Sequence, residues 1–176
     1  YRNKPFLGVV LIPARNELWI SNGENLSCEN KIGQLKHISL TSSKNLEEMI
    51  IVSSKNHKNK YLRNLLSKIP CKKIISMGSI GCKIASILRG ESDLYIALSD
   101  PEKGSPKDWD YAAPSAILKA AGGVITNINN EEIKFNKDNF NHGGLIIASN
   151  DKFKQKYICD QIKTIIEKYN LIPFEY

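Results

Sequence analysis

The sequence predicts an α/β domain preceded by the end of a smaller antiparallel unit. Two observations lead there. From residue 49 onward, short apolar β-rich runs alternate with amphipathic stretches at helical spacing, the pattern of an α/β unit. Ahead of residue 46, two short strand-like runs lie only a few residues apart, which is hairpin spacing and an antiparallel arrangement. The expected division is 1–45 and 46–176.

The elements follow in order. Phe6 to Ile12 is an apolar run ended by Pro13, Glu17 to Ile20 is a second run, and Ala14-Arg15-Asn16 joins them. Ser21 to Asn25 reads as a turn, and 26–48 as a short strand with loops. Met49 to Val52 is a buried-strand pattern, after which Ser53-Ser54 offers helix N-caps. Tyr61, Leu62, Leu65, Leu66 and Ile69 recur at helical spacing up to the breaker Pro70. Lys73 to Met77 is a strand and Gly78-Ser79-Ile80-Gly81 a tight loop. Ile84, Ile87 and Leu88 mark one face of a short helix ending at Gly90, and Leu94 to Leu98 is a strand. A polar loop over 99–108 leads to a helix from Tyr111 to Ala121, closed by Gly122-Gly123. Val124 to Ile128, a turn at Asn129-Asn130, a return over Glu132 to Phe135 and a strand over Gly143 to Ser149 follow. Asn150 is placed to cap a final helix to about Tyr169, with Phe153, Tyr157, Ile158, Ile162, Ile165 and Ile166 inward.

The net charge of +7 suits either a phosphorylated small molecule or a plain lysine-rich surface. The lysines are scattered, no run of arginines occurs, and no basic stripe carries interleaved aromatics. A specific nucleic-acid platform is therefore not expected. The four cysteines form no C-x-x-C pair and show no zinc spacing, so free thiols in a reducing compartment are expected. No stretch is long and apolar enough to span a membrane and no signal-peptide pattern is present. A cytoplasmic protein with no membrane partner is the expectation.

Residues 104–123, GSPKDWDYAAPSAILKAAGG, carry the chemistry. Asp110 sits just before a helix, where unpaired N–H groups and the positive end of the dipole favour a carboxylate or a phosphate. Small residues at 112–113 allow close approach, and Trp109 is expected beneath the aspartate. The plainer alternative makes Asp110 an N-cap and Trp109 a core residue.

Trp109-Asp110-Tyr111-Ala112-Ala113 followed by Ala120-Ala121-Gly122-Gly123 resembles the C-terminal signature of the inositol monophosphatase superfamily. Residues 5–20, PFLGVVLIPARNELWI, resemble the hairpin that follows the family's main metal motif. Gly90-Glu91-Ser92-Asp93-Leu94-Tyr95 resembles its G-x-x-D-x-Y strand entry, and Asn129 to Phe135 the hairpin beyond the helix. The resemblance covers roughly residues 5–150. It implies the sugar-phosphatase fold, α+β overall, with this chain as its C-terminal portion. The family's Glu-Glu pair and D-P-(I/L)-D-G-T motif do not occur here and are expected to precede Tyr1.

Two segments are similar to the 3'(2'),5'-bisphosphate nucleotidase branch. Ser53-Ser54-Lys55-Asn56-His57 resembles its S-R-S-H-type segment, with Asn56 in place of a serine. Gly78-Ser79-Ile80-Gly81-Cys82-Lys83 resembles its glycine-rich turn followed by lysine. The resemblance implies substrate contacts at His57, Ser79, Gly81 and Lys83, with Lys83 on a substrate phosphate and close backbone approach near Gly81. It implies that Asp110 is catalytic as a ligand of Mg²⁺. The implied partner is a phosphorylated small molecule, a nucleotide bisphosphate or an inositol phosphate, and a homodimer is open because superfamily members are often dimers. On the bland side, His57 caps a helix start, Ser79 is a turn residue and Lys83 lies on the surface. With one aspartate of the ligand set, the chain alone is expected to bind Mg²⁺ poorly and turn over little.

Overall fold

A computed structural model describes residues 2–30, 36–37, 40, 44–56, 59–100 and 104–172. Two sheets carry these residues. The first is antiparallel and runs in chain order through β1 (Gly8–Ile12), β2 (Glu17–Ser21), β3 (Leu26–Glu29) and β4 (Lys36–His37). The expected hairpin is present, with Val10 opposite Trp19. Its link is a 3₁₀ turn over Pro13–Arg15 that begins on the pre-set φ of proline and closes on Asn16 at φ 52°. Strand alternation sends Ile12 into the core and leaves Val9 and Leu11 exposed.

The second sheet has the order β6-β5-β7-β9-β8. Its strands are β5 (Ile50–Ser54), β6 (Lys73–Met77), β7 (Leu94–Ser99), β8 (Val124–Asn127) and β9 (Gly144–Ser149). β6, β5 and β7 are parallel, because α1 (Lys60–Lys68) and α2 (Ile80–Leu88) serve as crossovers. β9 lies antiparallel between β7 and β8, because no helix spans the connection from β8 to β9. The sheet is thus mixed and the architecture α+β overall.

Four layers result. One face of the second sheet packs on α1 and α4 (Gln155–Tyr169), through Leu62, Leu65, Ile158 and Ile162. Alternation along β7 sends Leu94, Ile96 and Leu98 to that side and Tyr95 to the other. On the other side lie α2 and α3 (Asp108–Ala120), and the first sheet closes over them with Ile12, Trp19 and Leu26 in the same hydrophobic cluster. α2 therefore has sheets above and below, and every residue from Lys83 to Leu88 is buried. That is why its apolar positions exceed the single face expected from Ile84, Ile87 and Leu88. Gly8 permits the close approach of β1 to α3, since a Cβ there would meet Ala113 O and Ala116 Cβ at 2.8 Å.

Some local expectations are corrected. Ser53 and Ser54 belong to β5, where Ser53 Oγ donates to Ile96 O at 3.0 Å. α1 is capped instead by Asn59, whose Oδ1 accepts from Leu62 N at 2.8 Å. Glu132 makes only an isolated bridge to Thr126, so the return over Glu132 to Phe135 is not a strand. α4 starts at Gln155 rather than at Asn150, so Phe153 lies ahead of the helix, and both Phe153 and Tyr157, expected inward, are exposed. The stop at Gly122-Gly123 takes the expected form: Gly122 has φ 97°, and Gly123 N and Gly122 N donate to Leu118 O and Lys119 O at 3.0 Å.

Asn150 has another task. Its Nδ2 donates at 3.3 Å to Asp93 Oδ1, which also accepts from Lys44 Nζ at 2.8 Å, while Asp93 Oδ2 accepts from Ile50 N at 2.8 Å. Asp93 is buried between β5, β7 and the end of β9. Asp93→Ala strands these donors and is expected to lower the unfolding free energy by about 3 kcal/mol. Urea denaturation checks this, and a loss within ~0.5 kcal/mol, the range of a surface substitution, would contradict it.

Candidate functional site

Open α/β sheets place their sites at the carboxyl ends of strands. Here β5 ends at Ser54, β6 runs into Gly78-Ser79 and β7 ends at Ser99, and all of these residues line one cleft of about 340 Å³. Ser79, Lys83 and Asp110 line the same cleft, with Asn56, Tyr95 and Ser105 among the rest. Two larger depressions, about 400 and 410 Å³, lie beside residues 2–5 and contain neither Lys83 nor Asp110.

The wall built by α2 starts at Ser79, whose backbone at φ 48°, ψ 135° is strained for a residue with a Cβ. Its side chain makes no cap bond, so the first amides of α2 present the positive helix end beside the cleft. Ile80 and Gly81 belong to the helix rather than to a loop before it. Gly81 does not line the cleft: a Cβ there would meet Val10 Cγ1 at 3.1 Å, so the close approach is to the first hairpin.

Lys83 is not a surface lysine, being only 3% exposed. Its Nζ donates to Met77 O at 3.4 Å and lies 5.6 Å from the centre of the Tyr95 ring. Among the described residues no carboxylate pairs with it. Burial pulls its pKa down to about 8, with a smaller opposing effect of Cys82. Beneath it Tyr95 and Tyr111 share a hydrogen bond at 3.3 Å between their hydroxyls. Burial pushes Tyr95 up to about 12 and Tyr111 well above the usual phenol value, so both stay neutral.

The opposite wall is the first turn of α3. The helix begins at Asp108, so Asp110 lies inside its first turn rather than before it. Asp110 Oδ2 accepts from Lys107 N at 2.8 Å, which closes the helix start. The cap reading is thus correct in part, and the second carboxylate oxygen stays uncommitted among the described residues. Trp109 is neither core nor beneath the aspartate: it is 70% exposed and sits 6.0 Å from the Phe140 ring. α3 buries Tyr111, Pro114, Ile117 and Leu118 against its neighbours, which turns Trp109 outward.

Behind the turn, His142 Nε2 lies 2.6 Å from Asp108 Oδ1. A carboxylate only accepts, so Nε2 carries the proton. Burial lowers the His142 pKa and the Asp108 carboxylate opposes this in part. Ser105 is buried, and its Oγ has no partner among the described residues.

His57 lies outside the described residues, as do Pro101, Glu102 and Lys103. Among the described residues no three His, Cys, Asp or Glu side chains gather as a metal site. What they offer a hard cation is the free oxygen of Asp110, a fitting ligand for Mg²⁺ but one only. No helix among the described residues is long and apolar enough to cross a membrane.

Sequence reasoning missed the Tyr95–Tyr111 pair, Ser99, Ser105 and the Asp108–His142 pair. The rule of strand carboxyl ends would have found Ser99. The two pairs are separated by 16 and 34 residues, and no spacing pattern signals them.

Residues 1–167 match the inositol monophosphatase family. The 3'(2'),5'-bisphosphate nucleotidase CysQ of Buchnera aphidicola is 36% identical over 121 residues, 69% of this chain and 42% of that protein. Inositol monophosphatase 3 of Xenopus laevis is 36% identical over 81 residues, 43% of this chain and 22% of its own length. The chain thus spans less than half the length of these curated relatives. The solved Thermotoga maritima IMPase superposes with a TM-score of 0.71 at 21% identity, covering 94% of this chain and 59% of that one, a likeness of fold.

Proposed function

The chain belongs to the inositol monophosphatase family, and from that premise we propose that it forms part of a Mg²⁺-dependent phosphomonoesterase. The proposed substrate is 3'-phosphoadenosine 5'-phosphate, which loses its 3'-phosphate to give AMP. One observation carries the reading: a single cleft holds Lys83, a buried ammonium with no carboxylate partner among the described residues, and Asp110, an aspartate with one oxygen uncommitted among them. A buried cation lacking a counter-charge is satisfied by an anionic ligand. The choice of substrate leans on the similarity to the Buchnera bisphosphate nucleotidase.

The roles divide as follows. Asp110 is one ligand of Mg²⁺, and the other ligands come from outside the described residues. When bound, the metal supplies charge neutralisation at the phosphate oxygens and acidifies a water. Lys83 and the start of α2 hold a phosphate. The neutral Tyr95 and Tyr111 form an uncharged floor that keeps the Lys83 ammonium desolvated. Hydrolysis forms a bond from water oxygen to phosphorus, breaks the bond from phosphorus to the 3'-oxygen, and leaves a proton on that oxygen. His57, Ser79 and Gly81 are assigned to substrate contact by resemblance, with Gly81 acting through the helix start and not through the cleft wall.

The second reading, an inositol phosphate as substrate, draws on the similarity to Xenopus inositol monophosphatase 3. Phosphate release by the full-length gene product, with and without Mg²⁺, separates the two. Higher kcat/KM on the nucleotide bisphosphate is expected. Preference for inositol phosphate would install the second reading, and binding without release would mean a phosphate-binding module.

A further inference from the structure

We propose that Asp108 and His142 are a positioning pair, fixing the first turn of α3 so that the uncommitted oxygen of Asp110 stays at the cleft. This rests on the reading of Asp110 as a metal ligand.

The two oxygens of Asp108 grip opposite ends of the segment 136–142. Oδ1 meets His142 Nε2 at 2.6 Å, and Oδ2 accepts from Asn136 N at 2.7 Å. The main chain adds Asp108 N to Phe140 O at 3.0 Å, His142 N to Pro106 O at 2.8 Å, and a bridge between Lys107 and Asn141. His142 cannot swing away, because it is buried between Tyr111 and Phe135, with ring centres at 5.3 and 5.2 Å.

Asp110, in contrast, is exposed, and among the described residues its side chain bonds only to Lys107 N. Its direction follows wherever the backbone at 107–108 is held. That backbone is held by the pair together with the main-chain bonds to Phe140 and Asn141. A buried polar pair adds little net stability but selects one arrangement over its neighbours. Supports of this kind behind a metal ligand typically change metal affinity by about 10–100-fold when removed. The engagement of Asp108 also keeps a second carboxylate, two residues from Asp110, from competing for the cation.

The test measures Mn²⁺ binding to the full-length protein by electron paramagnetic resonance of the free ion, and in parallel the substrate KM at saturating metal. Asp108→Ala and His142→Ala are expected to weaken Mn²⁺ binding about tenfold while KM at saturating metal holds. His142→Gln, whose amide donates to Asp108, is expected to restore most of the affinity, which a general loss of packing would not allow. Unchanged Mn²⁺ affinity in Asp108→Ala and His142→Ala overturns the proposal if Asp110→Asn weakens binding; should either alanine variant fail to fold, Asp108→Asn, whose amide cannot accept from both His142 and Asn136 N, takes its place and unchanged affinity there overturns it equally. Should Asp110→Asn leave binding unchanged as well, the metal-ligand reading falls and takes the pair's role with it.

Discussion

Asp110→Asn is expected to lower Mg²⁺-dependent turnover by more than about a hundredfold, since it removes a ligand where even outer supports are worth 10–100-fold. The fold should hardly notice. An asparagine oxygen still accepts from Lys107 N, so the closure of the helix start survives. What is lost is a charge at the positive end of α3, about 0.3–1 kcal/mol. Steady-state kinetics and urea unfolding on the same variant give both quantities. Retained Mg²⁺-dependent activity would take Asp110 out of the metal site. A large loss of stability would mean that its work is structural.

Lys83→Met separates function from stability in the opposite sense. The ammonium is buried with no carboxylate partner among the described residues, and methionine keeps most of the stem while removing the charge. Thermal unfolding is therefore expected to move upward. The KM for the bisphosphate should rise about 10–100-fold, corresponding to the loss of a charge-assisted hydrogen bond of roughly 1.5–3 kcal/mol. A monophosphate lacking the second phosphate should be affected less, and an equal effect on both would break the assignment.

The same residue sets a pH signature. In the free protein Lys83 loses its proton near pH 8, so the KM of the wild type should climb above that pH while that of Lys83→Met stays level. Stability runs the other way. The folded pKa, about 8, lies below the ordinary 10.5. Between these values the unfolded chain binds more protons, and stability rises with pH across the window. The methionine variant should lack that rise.

Features that rest on local signals were legible in the sequence. The first hairpin, the strand at Lys73–Met77 and the stop at Gly122-Gly123 each depend on a few adjacent residues. Ser53-Ser54 misled because serine suits both a helix cap and a strand end, and pairing with β6 decides for the strand. Trp109 misled because its surroundings depend on which face of α3 meets the first sheet. The 78–83 turn and Asp110 stood out as motifs. The burial of Lys83 did not, since it depends on Met77 O and the Tyr95 ring, which β6 and β7 bring to it from elsewhere in the chain. The Tyr95–Tyr111 and Asp108–His142 pairs are products of the fold alone.

The place of α2 between two sheets has a kinetic consequence. Its residues from Ile84 to Leu88 are buried, and all but Ser86 share one hydrophobic cluster with strands of both sheets. Native-state hydrogen exchange there should proceed only through global unfolding, with a denaturant dependence matching that of the whole chain. Exchange through a shallower local opening would show that the layers part independently. If they do not, the wall that carries Lys83 is the last part of the molecule to breathe, and a ligand meets it already formed.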